Sequence, residues 1–317
     1  MNFDWNELAF GSKSAVNQLK ATFIAAPREL SVARFTQLVK EYLPKGNIVL
    51  GLAKEPYVLG LEDQPQFRML QEATVKHIIA KVNNAKTPHK LYILTYFQRD
   101  LIHLLEKLHF KKVVLVNGSW YRAFHLRPEF YTLAKQGTPY ELISPFASEQ
   151  DAQDYPATLK LQALPKSGMF AESDLLALAD QAATHSYAYS EFQTGVALGR
   201  KAGNTYKLLA TAHNKVVPFE TYAMHHGASR EIHFSPANDL NHYDVLHAEM
   251  QLLAQALKSK IDLKGTTMFI NLLPCPTCAR MLSQTDITEF VYQQDHSDGY
   301  AVKMLELSGK KVRRLVP

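Results

Sequence analysis

The stretch that decides the fold runs from His247 to Cys278. It reads His247-Ala248-Glu249-Met250, a run with helical spacing, the apolar Met268-Phe269-Ile270-Asn271-Leu272, and finally Pro274-Cys275-Pro276-Thr277-Cys278. One histidine and two cysteines three apart can supply three ligands to a zinc ion. A structural zinc closes its tetrahedron with four protein ligands, whereas a catalytic one keeps the fourth position for water. Glu249, two residues after the histidine, adds a carboxylate that is not needed as a ligand and is free to move protons. Asp244 is placed to cap a helix beginning near Val245, which would put His247 and Glu249 in its first turn. Pro274 ends the apolar run, and Pro276 suits an early helical position, where its missing N–H is an orphan anyway. Cys275 and Cys278 would then lie at a helix N-terminus, whose partial positive charge favours the thiolate.

A Cys-x-x-Cys alone also serves as a redox pair or as half of a four-cysteine ribbon. The chain has only these two cysteines, so no ribbon can form. A redox pair would leave His247 and Glu249 without a use.

The sequence His247-Ala248-Glu249 followed by Pro274-Cys275-Pro276-Thr277-Cys278 resembles the zinc-dependent cytidine deaminase superfamily, whose signature is H-x-E…P-C-x-x-C. The resemblance extends over roughly the last 150 residues. Tyr189-Ser190-Glu191-Phe192 and Gly195-Val196-Ala197-Leu198 look like the entry into the family's first strand, and Ala212-His213-Asn214 looks like the end of its second. The resemblance implies zinc held by His247, Cys275 and Cys278, with Glu249 as the proton shuttle. It also implies substrate contacts from Asn214, Ala248 and Pro274. An asparagine after a strand is, equally, a common turn residue.

The whole chain has 317 residues, enough for two domains. A hydrophobic fraction of 46% with 21% charged residues is that of a globular protein. No apolar run approaches the roughly 20 residues needed to span a membrane. The first residues, Met1 to Glu7, have neither a basic flank nor an apolar core, so no secretory signal is expected. Two cysteines both claimed by zinc fit a cytoplasmic location. A net charge of +5 permits an anionic partner without demanding one.

Residues 31–42, 74–82, 101–108 and 130–135 read as helices, and residues 47–52, 57–60, 91–96, 112–116 and 140–143 as strands. The C-terminal part follows a similar order, from a helix at 174–183 to a strand at 311–316. The same offset separates Tyr92 from Met268, Leu94 from Ile270 and Val114 from Phe290. Carried to the zinc residues, that offset sets Gln71, Ala73, Arg99 and Ile102 against His247, Glu249, Cys275 and Cys278. The expectation is an α/β protein of two cytidine-deaminase-like domains, each a mixed five-stranded sheet flanked by helices. Residues 1–146 would be a degenerate copy, 147–168 a linker and 169–317 the catalytic domain. The stretch 218–243 is an irregular loop with Arg230 and several histidines, expected at the pocket mouth. The helical run 300–307 lets the last two strands lie parallel. This resembles the branch holding deoxycytidylate and polynucleotide deaminases.

The function implied is hydrolytic removal of a nucleobase amine. The first choice of substrate is a base within RNA, tRNA or single-stranded DNA, adenine slightly ahead of cytosine and guanine not excluded. It rests on mild basicity and a non-catalytic half suited to a large anion. The alternative is a free nucleotide of the deoxycytidylate type. A zinc-stabilised binding protein without catalysis is a third reading, against which Glu249 stands. A homodimer is compatible with either substrate.

Overall fold

The computed structural model describes residues 20–26, 30–55, 72–84, 86–117, 128–188, 193–226, 245–295 and 297–316. Contacts divide the chain into two units, Met1–Leu159 with Thr221–Phe234, and Lys160–Glu220 with Ser235–Pro317.

The first unit is built on strands β1 (Ala21–Ala26), β2 (Asn47–Ala53), β3 (Leu91–Tyr96), β4 (Lys112–Val116) and β5 (Tyr140–Ile143), in the order β3-β2-β1-β4-β5. Each of these neighbours pairs in parallel. Parallel strands require crossovers, and α1 (Val32–Tyr42), α2 (Glu72–Val82), α3 (Leu101–Lys107) and α4 (Pro128–Gln136) lie in them. Alternate strand residues serve opposite faces. Ile24, Leu50 and Ile93 pack with Phe35 and Leu38 of α1 and Val75 of α2. Phe23, Val49 and Leu94 pack with Leu101 and Leu104 of α3 and Leu133 of α4. Burial on both faces is why such strands are apolar almost throughout.

This overturns the expected mixed sheet for the N-terminal half. The central strand β1, Ala-Thr-Phe-Ile-Ala-Ala, was not anticipated, because a short apolar run carries no period that tells strand from helix. The expected strand at 57–60 lies outside the described residues. The offset between halves is not a structural repeat either. It matches β3 and β4 to strands that are direct neighbours in the second unit, as Met268 paired with Phe290 shows. In the first unit, β2 and β1 stand between β3 and β4. Strand–helix–strand spacing is set by the length of the crossover and says nothing of a strand's place in its sheet. The stretch expected as linker includes α5 (Glu149–Asp154), capped by Ser148.

The second unit contains β6 (Gly168–Phe170), α6 (Glu172–Ala183), β7 (Gly195–Ala202), β8 (Thr205–His213) and β9 (Lys215–Val216). The next helix, α7 (Tyr222–His226), belongs by its contacts to the first unit. There Met224 is buried and His225 Nδ1 lies 2.6 Å from Ser144 Oγ. The second unit resumes with β10 (Val245–Leu246), α8 (Ala248–Ser259), β11 (Thr266–Leu272), α9 (Pro276–Ser283), β12 (Glu289–Gln294), α10 (Tyr300–Leu307) and β13 (Lys311–Arg314). The sheet order is β13-β12-β11-β7-β8-β6. β11, β12 and β13 run parallel, while β7 is antiparallel to β11 and β8, and β8 to β6. The sheet is therefore mixed, as expected, with six strands in place of five. The additional edge strand is β6.

One face of this sheet carries α6, through Leu175 and Leu178 against Phe269 and Val291. The other carries α8, α9 and α10, through Leu252, Leu282 and Leu305 against Met268 and Phe290. Gly195 opens β7 where α6 comes closest. A Cβ there would meet the Ala179 carbonyl oxygen at 2.0 Å and the Ala183 nitrogen at 2.5 Å.

Candidate metal centre

Two helix N-termini build the site. The helix carrying Glu249 starts later than the sequence suggested. Val245 and Leu246 are held as β10 by antiparallel pairing with Val216 and Lys215 of β9. His247, extended at φ −62° and ψ 151°, becomes the N-cap of α8. Pairing takes these residues because a strand partner is available across the ribbon. Asp244 lies outside the described residues. The second N-terminus follows β11. Leu273 and Pro274 are buried, Cys275 is the N-cap of α9, and Pro276 stands in its first turn. Cys278 donates its backbone N–H to Cys275 Sγ at 3.5 Å.

The three expected ligands converge. Nδ1 of His247 is 3.6 Å from Cys275 Sγ and 3.4 Å from Cys278 Sγ. The three ligand atoms lie within 4.8 Å of one another, the one such group found among the described residues. Zinc bonds of about 2.3 Å to sulfur and 2.0–2.1 Å to nitrogen, in a tetrahedron, set S and N roughly 3.5–3.6 Å apart. The spacing and the donor set both fit zinc, with a fourth position not claimed by this trio.

Electrostatics support the same arrangement. The Cys278 S–H hydrogen bond and the His247 ring bring the Cys275 thiol down to about 3, whereas sharing its proton with Cys275, together with burial, pushes Cys278 up. The pair thus gives up one proton readily and holds the second, and a dication that replaces that proton resolves the conflict. His247 is raised, first by its hydrogen bond to Cys275 and then by the charge of Glu249. Glu249 is 2% exposed, and burial pushes its carboxyl up to about 7. The carboxyl also interacts with the Cys278 thiol, so it stands against the ligand group without belonging to it.

Ala248 opens α8 fully buried, and Pro274 is buried beside Cys275. Asn214 follows β8, and one step beyond the Lys215–Leu246 pair it stands at the register position opposite His247. It is 5% exposed, its side-chain oxygen accepts the Thr194 N–H at 2.9 Å, and its backbone carbonyl accepts from the Ser186 hydroxyl at 2.8 Å. Its side chain is therefore already engaged in holding the start of β7. Arg230 lies outside the described residues.

Asn271 was not singled out from the sequence. Its side-chain oxygen accepts the Gly195 N–H at 2.9 Å, and its amide donates to the Gln193 carbonyl at 3.0 Å. With Asn214 it clamps residues 193–195 from two sides. The available signal was a lone amide in the otherwise apolar Met-Phe-Ile-Asn-Leu-Leu, three residues before Pro274.

Comparison with known proteins bears on this unit. Residues 169–294 match the family model described as the cytidine and deoxycytidylate deaminase zinc-binding region. Human deoxycytidylate deaminase is 26% identical over 119 residues, which is 34% of this chain and 66% of that enzyme. Deoxycytidylate deaminase of Enterobacteria phage T2 is 32% identical over 60 residues, 19% of this chain and 32% of the relative. The matches to these relatives thus span between about a third and two thirds of their length. Among solved structures, dCMP deaminase from cyanophage S-TIM5 aligns at 18% identity and a TM-score of 0.33, over 45% of this chain and 95% of that one. The match to the zinc-binding deaminase model thus lies within the C-terminal part of the chain that carries His247, Cys275 and Cys278.

Proposed function

We propose that the chain is a zinc-dependent hydrolase that removes the exocyclic amine of a cytosine nucleotide. The observation that carries this reading is Glu249: a carboxyl buried to 2% exposure against three zinc-type ligands, and not one of them. A closed structural site has no use for such a group.

In the reaction, His247, Cys275 and Cys278 would hold the ion, which when bound supplies the Lewis acidity that makes water a nucleophile near neutral pH. Glu249 accepts the proton that water loses as its oxygen bonds to the amine-bearing ring carbon. The same carboxyl delivers that proton to the adjacent ring nitrogen, then takes the remaining proton of the added hydroxyl and passes it to the departing amine. The C–N bond then breaks and ammonia leaves, with a carbonyl in its place. The apolar burial of Glu249 keeps it protonatable in the range where it must both take and return protons. Asn214, at the register position opposite His247, would orient the base or sugar in this reading.

Cytosine and the free nucleotide are favoured because both relatives above are named deoxycytidylate deaminase. The polymer reading rested on net charge and on a degenerate deaminase as docking half. The parallel first sheet removes the second of these supports. The deciding experiment supplies dCMP, CMP, tRNA and single-stranded DNA to the purified chain and measures ammonia release and product mass. Turnover of dCMP is expected. Deamination of a base in tRNA or single strands with dCMP untouched would restore the nucleic-acid reading.

A further inference from the structure

The first unit has a polar edge that deamination does not use. An all-parallel sheet delivers the carboxyl ends of its strands to one edge. In open α/β sheets ligands bind outside those ends, where strand order reverses. The reversal itself lies between β1 and β4; the ends of β2 and β3 stand side by side on the same carboxyl edge, beyond β1.

Lys54, Glu55 and the run Tyr96 to Arg99 stand at the ends of β2 and β3. The Lys54 N–H donates to the Tyr96 carbonyl at 2.7 Å, extending the ladder past Ala53. Beyond it, both carboxylate oxygens of Glu55 accept the Gln98 N–H at 3.1 Å, which fixes the acid at the edge. Phe97 is 41% exposed, with Lys54 Nζ 4.8 Å and the Arg99 guanidinium 5.5 Å from its ring centre. Tyr96 is 5% exposed, yet its hydroxyl has no hydrogen-bond partner. Native proteins rarely bury a hydroxyl unmatched, and each such case calls for an explanation. Burial and the charges of Glu55 and Glu129 raise the Tyr96 pKa, so the hydroxyl keeps its proton and remains a donor. The ring lies over Gly51, where a Cβ would come within 3.0 Å of it and 2.4 Å of Phe23.

These groups specify a ligand with three parts. Phe97 offers a face for a planar ring, Lys54 and Arg99 offer positive charge for an anion, and Glu55 offers acceptors for sugar hydroxyls. A nucleotide combines all three. The pyrophosphate of a dinucleotide is a poor match, because the sequence that follows β1, Pro27-Arg28-Glu29-Leu30-Ser31, has no glycine. The Ser31 hydroxyl also takes the Arg34 N–H at the start of α1.

We propose that the carboxyl edge of β2 and β3 binds a mononucleotide, its base on Phe97, its phosphate at Lys54 and Arg99, and its sugar at Glu55 and Tyr96. The site shares no residue with the zinc ligands, so its test stands apart from the deaminase reading. Isothermal titration of the full chain with AMP and with UMP is expected to show one binding event that persists in Cys278→Ala and after zinc is stripped by a chelator. Phe97→Ala should weaken it by about tenfold, the scale of one lost base–aromatic stack. Tyr96→Phe should weaken it several-fold while leaving the melting temperature unchanged or higher, because it deletes an unmatched hydroxyl. The proposal is overturned if neither nucleotide binds, if binding disappears with the zinc, or if Phe97→Ala and Tyr96→Phe both bind as the unmutated chain does.

Discussion

Both units bring helix N-termini to the ends of strands, but they equip them differently. In the parallel sheet, α1 starts at Ser31, whose side chain serves the helix's own backbone. In the mixed sheet, α8 and α9 start at His247 and Cys275, whose side chains face each other at 3.6 Å. Antiparallel pairing makes the second arrangement reachable. The β9–β10 ribbon turns the chain back so that His247 enters α8 at a set position, while β11 brings Cys275 to the start of α9. The first unit has no cysteine at all. A shared α/β rhythm therefore carries no chemistry by itself; the cap residues do.

That contrast is broken most directly at the site. Glu249→Ala should keep about one zinc per chain and lose turnover by roughly 10²–10⁴-fold, the usual contribution of a positioned acid–base group. Cys278→Ala should lose the metal as well. Metal analysis beside kcat separates the two outcomes. Two zincs in the unmutated chain would show that the first unit also binds metal.

Packing offers the next comparison. Gly195→Ala drives a methyl into the backbone of α6, and backbone cannot swing aside, so a loss of about 3 kcal/mol is expected. Gly51→Ala in the first unit meets rings of Phe23 and Tyr96, which can turn, and should cost about 1–2 kcal/mol. Hydrogen exchange read by peptide reports each unit separately. Equal losses would mean that α6 yields as easily as a side chain.

Legibility from sequence follows the same divide. His247, Glu249, Cys275 and Cys278 could be read because few residue types can bind zinc or pass protons, and their spacing is local. The parallel last strands could be read because a helix separates β12 from β13. Strand β1 could not, since an apolar run without a period is silent about its place, and without it the order β3-β2-β1-β4-β5 was out of reach. The start of α8 was misplaced because pairing across the β9–β10 ribbon overrides a good local cap. Asn271 stands out in the sequence only as a lone amide, and its role is not legible there because its partners, Gln193 and Gly195, lie far away in the chain.

Asn271→Ala removes two hydrogen bonds to backbone and should cost about 1–3 kcal/mol of second-unit stability in urea. Asn214→Ala removes the bond to Thr194 and should cost about 1 kcal/mol. If Asn214 also touches substrate, its kcat/KM will fall well beyond that of Asn271→Ala at matched stability. A parallel fall in both would leave Asn214 as a turn residue only.

The smallest effect concerns the sheet edges, each pinned by an ion pair. In the second unit Arg313 reaches Glu172 at 3.0 and 2.5 Å and Glu289 at 2.7 Å. Hydrogen bonds from Arg313 hold Glu172 low. In Glu289, burial pushes the carboxyl up, but Arg313 and Lys311 outweigh it and the net shift is downward. Folded values below the ordinary 4.5 mean that this stabilisation is present above that pH and is lost as pH falls through the lowered values. Arg313→Met should therefore destabilise the second unit most at neutral pH, and the gap to the unmutated chain should close below about pH 4.5. In the first unit, Glu141 accepts from Tyr42 and pairs with Lys112 at 3.0 Å, and these contacts lower it despite its burial. Its side chain is 36% exposed, against 12% for Glu289, so water screens it more. Lys112→Met should show the same sign with a smaller gap. Urea unfolding at a series of pH values, read by hydrogen exchange in each unit, checks both. A gap that widens in acid would mean that Arg313 acts through packing alone and that its charge plays no part.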